Sequence, residues 1–317
     1  MQHLHDLSQV NLPACQVTIG SFDGVHRGHQ VIVRDMVDSA RGEGLPAVVL
    51  TFFPHPSVVL RGRTPAFYIN TPEEKAQLLA ELGVEFVITQ RFDLELSRIR
   101  AGDFLELLRR HLAFTTLWIG EDFALGHQRE GNRLFLAKAA RHDGFRLQVV
   151  APLNVGGEVV SSTRVREALR SGDVSRAASY LGRPFSLPGV VVRGSARGAK
   201  LGIPTANLSI WEERAFPGAG VYACVVEAAG KRFKAVTNIG VRPTFEGNEP
   251  SPVVETHILD FSGDLYGKEI RIEFIVRLRD ERRFPGPEAL LAQIEKDIQR
   301  AREILDMRKE AEDDGKG

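Results

Sequence analysis

The chain is poor in cysteine: Cys15 and Cys224 are the only two in 317 residues, far apart and without C-x-x-C spacing. That excludes a disulfide framework and a cysteine-rich zinc site, and it suits a reducing cytoplasm. An excess of either charge is also missing, since Lys+Arg and Asp+Glu both number 41. No net field draws the chain to nucleic acid or to an anionic membrane, so any anion site must be local. No apolar run approaches the ~20 residues of a membrane span. The opening MQHLHDLSQVNLPAC has no basic start followed by an apolar stretch, so a soluble, unexported protein is expected. What remains, 43% apolar and 26% charged residues, is ordinary globular composition at a length that suits two domains.

Up to about residue 181, β-rich runs alternate with helical patterns: VTIGSF, a helix from about Arg27, AVVLTFF, a helix from Pro72, FVITQRF, a helix near Asp103, LWIG, a helix from Asn132, and LQVVAPL. Such alternation predicts a parallel α/β sheet. The helix at Pro72 is the best marked, with Thr71 as N-cap, Glu74 closing a capping box and Gly83 as its stop. SSTRVREALRSG and DVSRAASYLG read as two short helices broken at Gly172, and LGRPFSLPG as a linker. From about Pro188 short alternating stretches bounded by glycine and proline predict a small all-β barrel, with a hairpin turn at AAGK. Leu290, Ile294, Ile298, Ala301 and Leu305 then recur at helical spacing in a closing helix from about Pro287, and KEAEDDGKG reads as a frayed tail.

Two segments carry phosphate chemistry. GSFDGVHRGH, residues 20–29, sits between the first strand and the first helix, where α/β sheets bind nucleotides. Gly20, Gly24 and Gly28 permit close backbone approach, with Phe22 and Asp23 between them, and His26 and His29 can donate to phosphate oxygens. The plain alternative is a glycine-rich turn with two surface histidines; zinc lacks a third ligand. The H-x-G-H element resembles the signature of the nucleotidyltransferase superfamily, whose members pair it with a basic element near the end of the domain. SSTRVR fits that place: Ser161, Ser162 or Thr163 can cap the following helix while Arg164 and Arg166 reach for ATP phosphates. Between them, TFFPHP and GEDFALG follow predicted strands, so Asp122 can bind adenosine or organise Mg²⁺ and His55 can line a flavin side. A hydrogen-bonded structural His55 and a turn-capping Asp122 are equally consistent with the pattern.

The second segment, GSARGAKLGIPTAN at 194–207, combines Gly194, Gly198 and Gly202 with Arg197 and Lys200 and ends in Thr205-x-Asn207. A glycine-rich arm can wrap ATP phosphates, and the Thr and Asn oxygens can ligate Mg²⁺. Glu255, in the apolar strand VVETHILDF, can take the proton of an alcohol attacking a γ-phosphate. A long barrel loop and a salt-bridged strand glutamate are the plain alternatives.

Taken in order, GSFDGVHRGH, TFFPHP, GEDFALG, SSTRVR, LGRPF, LGIPTANL, GVYA, TNIGVRPTF, VETHILDF and DLYG resemble the bacterial bifunctional riboflavin kinase and FAD synthetase family over nearly the whole chain. The resemblance implies a Rossmann-like N-terminal adenylyltransferase domain, residues 1–182, and a C-terminal Greek-key barrel kinase domain with a terminal helix, residues 183–317. It implies that His26 and His29 hold ATP phosphates, that Ser162, Thr163 and Arg166 complete the clamp, and that Asp122 joins the nucleotide site. Thr205 and Asn207 match its Mg-ATP motif and Glu255 its catalytic base. Riboflavin, FMN and ATP are the implied substrates and Mg²⁺ the implied cofactor. The chain departs from the family at Ala124 and Leu125, where basic and aromatic residues are usual, and at Ala199, where arginine is common. A single-activity adenylyltransferase and a non-enzymatic flavin or nucleotide sensor are the rival readings, since a fold does not by itself assign a function.

Overall fold

The computed structural model describes residues 1–62, 67–194, 202–241 and 252–314, and it divides into two compact units, Met1–Ser162 and Thr163–Gly317. The first unit is a six-stranded parallel sheet. Its strands are β1 (Gln2–Leu4), β2 (Cys15–Ile19), β3 (Ala47–Phe53), β4 (Phe86–Arg91), β5 (Phe114–Gly120) and β6 (Arg146–Val150), in the order β1-β4-β3-β2-β5-β6. Their near-continuous apolar runs are what a sheet covered on both faces requires. Along β3, Val48 and Leu50 face a core shared with α4 (Ala101–Leu112) and α5 (Arg133–Asp143). Ala47 and Val49 face the other way, onto α1 (Arg27–Glu43) and α3 (Pro72–Glu81). The strand order reverses between β2 and β5, so the ligand crevice is expected beyond their carboxyl ends.

Local signals account for most boundaries. Asn132 caps α5 through bonds from Leu134 N and Phe135 N, and Thr71 with Glu74 forms the expected capping box on α3. Two elements were not legible. Gln2–Leu4 adds a parallel edge strand beside β4, and Pro56–Arg61 forms the short helix α2. A small hairpin, β7 (Asn154–Val155) with β8 (Glu158–Val159), closes the unit.

The second unit begins with α6 (Ser162–Arg170, its first residue in the preceding unit) and α7 (Val174–Leu181), broken at Gly172 as expected. A closed antiparallel barrel follows, in the order β10-β13-β12-β11-β14-β9. Its strands are β9 (Phe185–Val192), β10 (Ala206–Ser209), β11 (Gly220–Ala228), β12 (Lys231–Val241), β13 (Pro252–Ile258) and β14 (Glu269–Arg279). β11, β12 and β13 pair in sequence while β14 returns beside β11, which is Greek-key connectivity. From Phe185 on, the segment read as a linker is part of strand β9. Pro188 and Gly189 obscured its alternation of buried Phe185, Leu187 and Val191, and Gly189 is there because a Cβ would stand 2.9 Å from Ser209 O. The hairpin at AAGK turns through Ala229 and Gly230, both left-handed. α8 (Pro287–Asp314) covers the outside of β12, β11 and β14, so β11 is buried on both faces and reads as a continuous apolar run. Its helical hydrogen bonding continues through the segment expected to fray, up to Asp314.

Candidate functional site

At the end of β2 the backbone turns through Phe22, Gly24 and Val25, all with positive φ, before entering α1. Left-handed geometry at two non-glycine residues costs energy and persists only when the surroundings hold it. Several groups do so here. Asp23 is buried, and its carboxylate accepts the amide protons of Ile69 at 3.0 Å and Asn70 at 3.4 Å, while its carbonyl accepts a bond from Ser162 Oγ at 2.8 Å. Phe22 is buried against His29, ring centroids 5.0 Å apart. Thus Asp23 and Phe22, expected at the nucleotide, face into the loop's own support, and Ser162 links the second phosphate motif to the first.

His26 is the N-cap of α1, its Nδ1 accepting from His29 N at 3.3 Å. An imidazole that accepts at Nδ1 carries its proton on Nε2, so the ring offers an N–H donor of the kind a phosphate oxygen takes. The His29 ring stacks on it at 3.6 Å. Its Nδ1 is buried without a partner, and burial, then the charges of His26 and Lys75, holds its pKa well below the ordinary histidine value. Gly28 leaves room for this stack, since a Cβ there would lie 3.2 Å from His26 Cε1 and push the ring by a few tenths of an ångström.

Beyond β2, β3 and β5 opens a cavity of about 440 Å³. Phe52, Phe92, Leu96, Ile99, Phe104 and Phe123 make it apolar, and Gly20, Ser21, His55 and Asp122 bring polar groups to it. Of the expected residues, Gly20, His55 and Asp122 therefore share one space; the histidine pair does not line it. His55 is the N-cap of α2, with Nδ1 accepting from Ser57 N at 3.0 Å and its own amide donating to Tyr68 OH at 2.9 Å. Asp122 is exposed, and its carbonyl accepts from Arg129 Nη2 at 2.6 Å. A roomier polar cleft of about 670 Å³, lined by Arg109, Arg110 and Asp143, lies at the opposite, amino end of β5 and includes none of these groups. Thr163 is exposed, and Arg164 and Arg166 are half-buried on α6.

The loop's support from α3 escaped the sequence reading. Lys75 is 5% exposed, and its Nζ donates to Ser21 O and to Thr51 Oγ1, both at 2.9 Å. Burial pushes its pKa down to about 8, against the opposing pull of the Asp23 carboxylate. The signal was available: Lys75 precedes Leu79 by four residues, on the apolar stripe of an amphipathic helix.

In the barrel, register does the assembly. Asn207 on β10 and Glu255 on β13 stand directly opposite one another, and Asn238 on β12 is the other cross-strand neighbour of Glu255. Val254, Thr256 and Ile258 point into the barrel, so Glu255 and Asn207 lie on its outer face. Gly194 approaches Asn207 so closely that a Cβ would be 2.2 Å from Nδ2. Thr205 precedes β10, half-buried. Asn238 Nδ2 in turn donates to Glu281 Oε1 at 3.3 Å, which puts a second carboxylate, not foreseen, on the same face. Gly198 and Lys200, together with Arg197 and Ala199, lie outside the described residues.

Among the described residues no group of three or more His, Cys, Asp or Glu side chains is placed to hold a metal. Asn207 and Glu255, opposite one another, and Thr205, two residues before Asn207, carry hard oxygens. A few such oxygens fit Mg²⁺ held jointly with substrate phosphates.

Comparison with known proteins divides the chain in the same manner. A model of FAD synthetase matches residues 8–164 and a model of riboflavin kinase matches residues 181–305. A bifunctional riboflavin kinase/FMN adenylyltransferase of Escherichia coli strain K12 is 38% identical over 97% of this chain and 98% of its own length. One of the same description from Bacillus subtilis is 34% identical over 94% and 95%. A crystal structure from Streptococcus pneumoniae, described as a macrolide-efflux protein, superposes with a TM-score of 0.87 at 29% identity, covering 95% of this chain and 98% of that one. Among the described residues no helix is long and apolar enough to cross a membrane.

Proposed function

Because this chain belongs to the bifunctional riboflavin kinase/FMN adenylyltransferase family, we infer that it makes FMN from riboflavin and ATP, and FAD from FMN and ATP. The observation that carries the kinase half is the cross-strand pairing of Asn207 with Glu255 beneath Gly194. It joins two motifs separated by 48 positions in the sequence, 207 and 255, into one oxygen-rich site.

In the first unit the FMN phosphate attacks the ATP α-phosphorus and pyrophosphate departs. A phosphate nucleophile is already ionised near neutral pH, so the site supplies charge stabilisation rather than a base. His26 offers its Nε2–H to a phosphoryl oxygen, and His29 and Ser162 belong to the same clamp. The apolar cavity takes the isoalloxazine ring, with His55 on its rim; Asp122, also at the rim, contributes to the nucleotide site. The adenylyl-transfer domain extends to residue 182 and the kinase domain from 183.

In the barrel Glu255 accepts the proton of the ribityl 5′-hydroxyl as that oxygen attacks the γ-phosphorus, and ADP leaves. Thr205 and Asn207 would hold Mg²⁺, which when bound would neutralise charge on the ATP phosphates. Gly194, with Gly198 and Lys200, binds the nucleotide. Two buried thiols, Cys15 and Cys224, both free, are consistent with work in the cytoplasm.

Chromatography of flavins after incubation with Mg-ATP and either riboflavin or FMN tests the assignment. The expected result is FMN and FAD from riboflavin, and FAD from FMN. FAD from FMN with riboflavin untouched reduces the chain to a single-activity adenylyltransferase. Unchanged flavin in both tubes, from folded protein, leaves only a sensor.

A further inference from the structure

The loop after β2 carries the histidine pair, and its left-handed backbone is held by groups outside that pair. The support comes from the chain just before and inside α3. Ile69 and Asn70 donate their amide protons to Asp23, and five residues later Lys75 Nζ donates to Ser21 O. Thr51 Oγ1, at the end of β3, donates to the same Ser21 carbonyl at 3.0 Å and accepts from Lys75 at 2.9 Å. Ser21 is thus gripped from two elements immediately before Phe22, Gly24 and Val25 take positive φ.

We propose that Lys75 is the positioning residue of the adenylyl-transfer site, its buried ammonium fixing Ser21 and with it the loop that places His26, Gly28 and His29 for the nucleotide phosphates. The inference rests on the reading of this unit as the FMN adenylyltransferase. An ammonium donor is fitted to the task, because charge-assisted hydrogen bonds are roughly twice as strong as neutral ones. Its charge also reaches the histidine pair: Lys75 is one of the groups that keep His29 neutral. The charged and titratable groups that face it are Asp23 from the loop, His29 from α1 and His3 from β1. His3 and His29, both held below the ordinary histidine value, lose their protons at lower pH. An alkaline transition therefore belongs to Lys75, which burial brings to about 8.

The full chain provides its own controls, since the KM for ATP in FAD synthesis reports on the fold of the first unit and the riboflavin kinase reaction on that of the second, which does not use Lys75. For Lys75→Met, kcat for FAD formation from FMN is expected to fall about 100-fold, the size of effect that small misplacements of reacting groups produce. The KM for ATP should move less than about threefold and the kinase rate less than twofold. Lys75→Arg, which keeps the charge, should recover at least about tenfold over the Met variant. A Met variant with normal kinase rate and FAD synthesis within threefold of the unaltered chain overturns the proposal, as does a loss confined to KM. Should the Met variant lose the kinase too, the unaltered chain decides. Its kcat for FAD synthesis is expected to decline through about pH 8, and a flat profile from pH 7 to 9.5 overturns the proposal. No FAD from the unaltered chain at any pH overturns the reading of the unit itself, and the proposal with it.

Discussion

The two phosphate-handling regions are built by opposite means. In the first unit, a loop of left-handed residues is held by its own buried Asp23 and by Thr51 and Lys75 from elsewhere in the chain. In the barrel, the key side chains stand on regular strands, and the register of β10 against β13 alone brings Asn207 opposite Glu255. A strand site depends on pairing and on one close glycine contact. A loop site depends on a supporting network, so it is open to damage from residues that touch no substrate.

That contrast can be broken most forcefully at Glu255. Glu255→Ala is expected to lower riboflavin phosphorylation by roughly 10²–10⁴-fold, the range for loss of a general base, while FAD formation from supplied FMN stays unchanged. Equal loss of both rates in steady-state assays contradicts two independent sites. The next largest effect is on stability. Lys75 has a folded pKa of about 8 against an ordinary value of 10.5. Between those values the unfolded chain holds a proton that the folded chain lacks, so the group's contribution to stability rises with pH there. Below pH 8 both states hold the proton and the full burial cost remains. Relative to Lys75→Met, the unaltered chain should gain roughly 3 kcal/mol of unfolding free energy across that window, at about 1.4 kcal/mol per pK unit. Denaturant titrations of both proteins from pH 7 to 11 check it, and the comparison cancels the titrations they share; a difference that does not change with pH refutes it.

Gly194→Ala sharpens the comparison from the barrel side. Its Cβ would fall within 2.5 Å of all three terminal atoms of the Asn207 side chain. Kinase turnover should drop about 100-fold, with FAD synthesis intact. Gly28→Ala is milder, since its Cβ would meet the His26 ring at 3.2 and 3.3 Å, distances relieved by a shift of a few tenths of an ångström. FAD synthesis should fall about tenfold and riboflavin phosphorylation not at all; an unaffected FAD rate means that the His26 ring need not keep this position.

What could be read from the sequence follows the same division. Alternation, capping boxes and helical spacing placed the parallel sheet, the barrel and α8, because these signals are local. Thr205, Asn207 and Glu255 were also recognisable, although their meeting depends on a register that neighbouring residues do not state. β9 was obscured because Pro188 and Gly189 carry turn signals that the barrel's close packing overrides. Asp23 and Phe22 were expected at the ligand because they lie within a glycine-rich motif; their burial against Ile69, Asn70 and His29 comes from tertiary structure. Lys75 was passed over as an ordinary helix residue, though its place beside Ala76 and before Leu79 marks the buried face.

The central claim is that one chain carries two separable sites, and mixing two disabled variants tests it most directly. His26→Gln and Glu255→Gln, each incubated alone with riboflavin and Mg-ATP, should yield FMN only and unchanged riboflavin, respectively. Combined in one tube they should yield FAD, as FMN released by the first is adenylylated by the second. Failure of the mixture to make FAD, when each variant retains its own remaining half-reaction, contradicts free exchange of FMN between sites. Loss of both half-reactions in either folded variant contradicts the two-site account itself.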